Sequence, residues 1–243
     1  MTERGHRRVR RTATRFEVGP SAMQWQDGEL TIELDEVANP LPRRVRGTVR
    51  VRPQGLSNFV AALDDGGRHR WGPIAPCARV QVDFDAPALS WQGHAYFDSN
   101  EGDEPVSEPF TTWDWMRAPL QDGSTVVVYD VQQKHGRADR VIGTRFWPDG
   151  TVAEVQLPSR HTLERTGWQL ARTVRCGPGG GNLKAAAPQV VRTLEDTPFY
   201  ARSVVRTQLC GQTVEAMHET LSATRFASPM VQALLPFRMP RRA

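Results

Sequence analysis

Apolar and polar residues alternate with period two along most of this chain, a pattern that predicts strands with one buried face. In 29–35, Leu30, Ile32 and Leu34 alternate with Glu29, Thr31, Glu33 and Asp35. In 44–52, Val45, Val49 and Val51 alternate with arginines and Thr48, and in 79–85 Val80, Val82 and Phe84 alternate with polar residues. Asp85-Ala86-Pro87 predicts a turn and 88–98 a long return strand. The apolar run 126–129 predicts a central strand. Trp147-Pro148-Asp149-Gly150 has the composition of a hairpin turn, and 200–209 and 212–222 flank Gly211 as another hairpin. A helix is predicted only near the C-terminus, with Ser228 as N-cap, Pro229 at the first helical position and Met230 to Leu235 as its body, stopping before Pro236. Residues 119–123 mark a joint between two halves, and the glycine- and alanine-rich stretch 176–188 predicts a flexible loop. Many short strands with regular turns predict an all-β sandwich or barrel.

Period two also says which side chains share a face. On 88–98, Leu89, Trp91, Gly93, Ala95 and Phe97 face one way, and Ser90, Gln92, His94, Tyr96 and Asp98 the other. His69 and Trp71 point together if 68–76 is extended. Aromatic and acidic groups facing into a β-barrel form a ligand pocket at its mouth. The pattern alone does not select a reaction. Asp98, followed by Ser99-Asn100-Glu101-Gly102, also reads as the start of a solvated acidic turn. Trp71 and Tyr96 read as core residues, His69 and His94 as structural hydrogen-bonders, and Trp113 and Trp115 as packing on one strand face.

The 243 residues suffice for one large β domain or two small ones, and 39% hydrophobic with 24% charged residues describes a globular chain rather than a disordered one. No run approaches the roughly 20 apolar residues that span a bilayer. The opening MTERGHRRVRR lacks the apolar stretch of a secretion signal, so a cytoplasmic protein, on or off the inner membrane, is expected. Much of the net charge of +4 comes from Arg4, Arg7, Arg8, Arg10 and Arg11 and from Arg238, Arg241 and Arg242. These read as solvated tails or as contacts to an anionic surface. No basic stripe with interleaved aromatics lies within the strands, so a nucleic-acid partner is not expected. Cys77, Cys176 and Cys210 show no metal-ligand spacing and suit a reducing compartment as free thiols, and no nucleotide-binding glycine fingerprint is present.

Five segments carry a resemblance that covers nearly the whole chain in order. GHAYFDSNEGDEPVSEPFTTWDWMRA (93–118) resembles the signature of carotenoid 1,2-hydratases, also called hydroxyneurosporene synthases. RHRWGPIAP (68–76), LPRRVRG (41–47), VRTLEDTPFYARS (191–203) and FASPMVQALLPFRMPRR (226–242) are similar to further blocks of that family. The resemblance implies a lipocalin-like fold of two β-barrel or sandwich halves, with residues 1–118 carrying the active-site motifs and 119–243 forming the second half. It implies hydration of the C1=C2 bond of acyclic carotenoids such as neurosporene and lycopene, without a cofactor. The residues it implies as catalytic are the pairs His69 and Trp71, and Tyr96 and Asp98. Family members carry a stretch before the MTERG segment, so the resemblance also implies either a start upstream of Met1 or a truncated first half.

Such a reaction protonates C2, leaves a tertiary cation at C1, and captures it with water. A free aspartate, with a pKa of about 3.9, is ionised at neutral pH. Asp98 as donor therefore requires an apolar pocket that disfavours its charged form. Trp71 first, and Tyr96 second, are the rings expected to face the cation. His69 either orients the water, takes its proton, or holds Asp98 or Tyr96. The C-terminal Met230, Val231, Leu234, Leu235 and Phe237 beside the arginines are expected either to dock on a membrane or to pack on the protein. A non-catalytic carrier of isoprenoids or lipids on the same fold, and another cation- or pericyclic-type enzyme, are the competing readings.

Overall fold

The structure is a computed structural model and describes residues 3–39, 41–157, 159–177, 187–238 and 241–242, without the side chains of 3, 236–238 and 241–242. Most of the expected loop at 176–188, namely 178–186, lies outside the described residues, as do the side chains of Phe237, Arg238, Arg241 and Arg242. Among the described residues the architecture is all-β with two short α-helices and one 3-10 turn, His6–Arg8. In chain order the first strands are β1 (Glu3–Arg4), β2 (Val9–Arg11), β3 (Arg15–Val18), β4 (Ser21–Gln26), β5 (Glu29–Val37), β6 (Arg44–Pro53), β7 (Ala61–Ala62), β8 (His69–Ala86) and β9 (Ala88–Gly102). Then come β10 (Phe110–Pro119), β11 (Thr125–Gln133), β12 (Arg140–Phe146), β13 (Val152–Glu154), β14 (Arg160–Thr162), β15 (Thr173–Arg175), β16 (Gln189–Asp196), β17 (Tyr200–Leu209) and β18 (Gln212–Ser222). Helices α1 (Ala223–Phe226) and α2 (Pro229–Arg238) precede β19 (Arg241–Arg242).

The chain divides into two compact units. The first comprises Met1–Leu56, Ala75–Phe97 and Gln232–Ala243, and the second Ser57–Ile74 and Asp98–Val231. This division differs from the one expected at 118/119. Residues 119–123 are not a joint: they form a hairpin turn, closed by Leu120 N–H to Ser124 O at 2.8 Å, between β10 and β11 of one sheet.

In the first unit, β2 to β6 form an antiparallel meander that continues onto the far part of β8. Register builds its core. Leu30 lies opposite Val51 and Val51 opposite Val80, while Ile32 lies opposite Val49 and Val49 opposite Val82. The alternating apolar positions of three strands thus stack on one face, which Ala95 and Phe97 of β9 join, as period two requires. Gly47 makes the close approach of β6 to β8 possible, since a Cβ there would lie 2.5 Å from the carbonyl oxygen of Asp83.

The second unit holds a seven-stranded antiparallel sheet in the order β13-β12-β11-β10-β18-β17-β16. β11 is buried on both faces from Thr125 to Val131, the central strand its apolar run predicts. The core gathers Met116, Val126, Val128, Val205, Leu209 and Ala216 from four of these strands. The hairpin β17–β18 turns at Cys210-Gly211, and the turn 147–150 joins β12 to β13, both as predicted. Helix α2 begins at Pro229 with Ser228 Oγ accepting from Val231 N–H at 3.4 Å. It runs past Pro236 to Arg238, beyond the predicted stop. A proline there forfeits a single i→i−4 bond, which the last turn of a helix tolerates better than its middle.

Candidate active site

Alternation at the start of β8 buries His69 and Trp71 and leaves Arg70 between them less covered. Trp71 is fully buried, with the rings of Phe59, Tyr129 and Phe146 edge-on at centroid distances of 5.9, 5.7 and 6.4 Å. A buried indole N–H needs an acceptor. Asp98 supplies it, with Trp71 Nε1 donating to Asp98 Oδ2 at 2.9 Å. Asp98 is half-buried near the end of β9, not a freely solvated turn residue. Tyr96, two residues earlier on β9, is also half-buried and belongs to the first unit.

His69 serves a second contact set. Its Nδ1 lies 2.9 Å from Asp64 Oδ2 and its Nε2 3.0 Å from the carbonyl oxygen of Glu104. Asp64 is buried and accepts further bonds from the backbone N–H groups of Arg68 at 3.0 Å and His69 at 3.1 Å. Burial pushes the Asp64 carboxyl up, but the His69 ring and these N–H groups outweigh it and hold the carboxyl below its ordinary range. Both ring nitrogens of His69 are thus engaged, and the ring ties the 64–69 turn to the chain just after β9. Gly102 permits this: a Cβ there would lie 2.9 Å from His69 Cδ2.

A cavity of about 270 Å³ opens beside these groups, lined by Leu63, His69, Asn100, Phe110, Trp113 and Tyr129 among others. Its rings form an arc. His69 meets Phe110 at 4.9 Å, Phe110 meets Trp113 at 6.1 Å, Trp113 meets Tyr129 at 6.1 Å, and Tyr129 meets Trp71, which holds Asp98. Burial raises the Tyr129 phenol, and the nearby carboxylates of Asp98 and Glu219 push it the same way, so it stays neutral. Asp64, His69 and Glu104 also bring ligand atoms within 4.8 Å of one another, the spacing of a metal cluster. Those atoms are already engaged, Asp64 with His69 and the Glu104 carboxylate with Arg68 Nη1 at 2.6 Å.

Of the four residues singled out in the sequence, Trp71 and Asp98 are joined directly. His69 shares a strand with Trp71 but binds Asp64 and Glu104. The sequence pattern does not single out Asp64, Phe110 or Tyr129, and it reads Trp113 as packing. Asp64 sits in an Asp-Asp-Gly-Gly sequence that reads as a turn, and Tyr129 ends an apolar run that reads as core. The signal that finds Trp113 and Phe110 is their place at the start of β10, following the acidic segment that carries Asp98.

A carboxyl group steadied by a buried indole and, in the same unit, an aromatic-lined cavity define a lipocalin-like β protein with a candidate site for an apolar ligand. The fold is shared with AttH from Nitrosomonas europaea (TM-score 0.63, 15% identity, 89% of this chain and 72% of that one). It is also shared with kievitone hydratase from Nectria haematococca (TM-score 0.54, 8% identity, 85% and 70%). The sequence pattern described as carotenoid hydratase CrtC matches residues 1–243, and the chain belongs to that family. The acyclic carotenoid 1,2-hydratase of Rubrivivax gelatinosus is 52% identical over all of this chain and 58% of its own length. That of Thiocapsa roseopersicina is 47% identical over 99% of this chain and 58% of its own length. That of Rhodobacter capsulatus is 38% identical over all of this chain and 84% of its own length. The chain thus spans little more than half the length of the first two relatives. Among the described residues no helix is long and apolar enough to cross a membrane.

Proposed function

We propose that this chain adds water to the C1=C2 double bond of acyclic carotenoids such as neurosporene and lycopene, with Asp98 as the acid. The observation that carries this reading is the 2.9 Å bond from Trp71 Nε1 to Asp98 Oδ2, which fixes a half-buried carboxyl group among rings. The names of the family's relatives support the substrate class. Trp71 Nε1 orients the carboxyl through Oδ2. Asp98 passes its proton to C2, and the tertiary cation forms at C1. Water adds to C1 and sheds a proton, which returns to the Asp98 carboxylate and restores the acid. The carotenoid and one water are converted to one tertiary alcohol, and the scheme calls on no cofactor.

His69 is assigned a holding role in this scheme, since both its nitrogens are engaged by Asp64 and Glu104. Tyr96, two residues before Asp98, faces the same side of β9 as the acid. The substrate resides in membranes, and peripheral docking through the exposed Met230 and Leu234 of α2 is part of the proposal. Asp98→Asn tests the mechanism. It keeps the shape and removes the acidic proton, and loss of general acid catalysis costs about 10²–10⁴-fold in rate. Purified wild type incubated with lycopene should form tertiary alcohols, separable by chromatography, and the variant should form almost none. Substantial hydration by Asp98→Asn refutes Asp98 as donor. A wild type that binds lycopene without converting it is a carrier.

A further inference from the structure

A tertiary cation next to an enzyme is stabilised by an aromatic face that has room to meet it, within about 6 Å of the ring centre. Trp71 has no such room. None of its surface is accessible, and three rings enclose it while its N–H is directed to Asp98. Trp113 is placed differently. It is half-buried, it lines the cavity of about 270 Å³, and Phe110 and Tyr129 brace it edge-on, each at 6.1 Å. Tyr129 in turn touches Trp71, so the arc runs unbroken from Trp113 to the residue that holds the acid. Leu63 and Val106 make part of the wall apolar, as a methyl-branched end requires, while Asn100 gives a polar point for water. Two carboxylates also line the cavity, and each has an arginine beside it: Glu104 lies 2.6 Å from Arg68 Nη1 and Glu101 3.8 Å from Arg70 Nε.

We propose that this cavity seats the branched end of the polyene, with Trp113 as the ring that meets the cation, and that Trp71 acts only by positioning Asp98. The proposal rests on the hydration reading above and divides two roles between two tryptophans. Trp113 is then a catalytic residue and Trp71 a positioning one.

The probe is a pair of isosteres: an acyclic isoprenoid chain ending in trimethylammonium, and the same chain ending in tert-butyl. Their affinities are measured on the purified full chain by quenching of intrinsic fluorescence and by calorimetry, alongside kcat and KM for lycopene hydration. Wild type should prefer the cation several-fold. Trp113→Leu should abolish the preference and lower kcat about tenfold with KM little changed. Trp113→Phe, which keeps a ring and the fold, should retain most of both. Trp71→Phe should lose hydration yet keep the preference for the cation. An unchanged preference in both Trp113 variants, or its loss in Trp71→Phe alone, overturns the assignment. If wild type hydrates lycopene and Trp113→Leu does so equally well, this inference fails while the hydration reading stands. If wild type hydrates no acyclic carotenoid, the hydration reading falls and takes this inference with it.

Discussion

Asp64→Ala would remove a buried carboxylate that accepts three hydrogen bonds, from the His69 ring and from the N–H groups of Arg68 and His69. His69 is buried too, so its ring and its N–H cannot readily turn to water. Breaking a buried pair by deleting one member costs about 3–5 kcal/mol. For a chain of this size each kcal/mol lowers the melting temperature by about 2–4 °C, so a fall of about 6–20 °C is expected. The effect has a pH signature. Folding holds the Asp64 carboxyl below its ordinary value of 3.8, so the stability it contributes is present above that value and lost as pH falls through the lower folded one. The gap between wild type and Asp64→Ala should therefore be full at neutral pH and should shrink as pH falls below 3.8. Asp64→Asn keeps an acceptor oxygen and should lose less, about 1–3 kcal/mol. Thermal melts read the fall in melting temperature, and urea unfolding at neutral and acid pH reads the free-energy gap. A variant as stable as wild type at neutral pH, or a gap that does not narrow in acid, would refute the reasoning.

Gly47→Ala would set a methyl group 2.5 Å from the Asp83 carbonyl oxygen, where two backbones already touch. It should destabilise the fold by about 1–3 kcal/mol, seen as a lower urea midpoint with little change in its slope. Replacing the exposed Met230 and Leu234 by serine leaves the buried Val231 in place. It should weaken sedimentation with anionic liposomes without lowering the melting temperature, and unchanged sedimentation would reject docking through α2.

What the sequence made legible is local. Strand faces follow from alternation, which is why Leu30, Val51, Val80, Ala95 and Phe97 fall where period two puts them. Hairpin turns follow from their residues, as at 147–150 and 210–211. What it hid is long-range pairing. β10 runs antiparallel to β18, with Thr112 opposite Ser222 and Met116 opposite His218, across about a hundred residues of intervening chain. No local period encodes that register, so the expected division at 118/119 cut along a hairpin. The same pairing buries polar groups that look like surface positions. Asp114 stands between two tryptophans in the sequence, yet it accepts from Thr173 Oγ1 at 2.6 Å, and burial pushes its carboxyl up.

The site divides in the same way. The motif residues His69, Trp71 and Asp98 are marked by the resemblance to the hydratase family, while alternation says only which of them share a side of a strand. Their roles follow from neither, because a role depends on what each side chain meets across the fold. The indole of Trp71 reads as a π face when only its position is known. Once Phe59, Tyr129 and Phe146 are seen to enclose it, the N–H is what it has left to offer, and Asp98 takes it. Aromatic surface then has to come from a strand the motif does not touch, and β10 provides it at Trp113. A residue with free ring surface in the cavity and no hydrogen bond to the acid is the one whose loss should be felt in the cation alone, whereas loss of Trp71 should be felt in the acid.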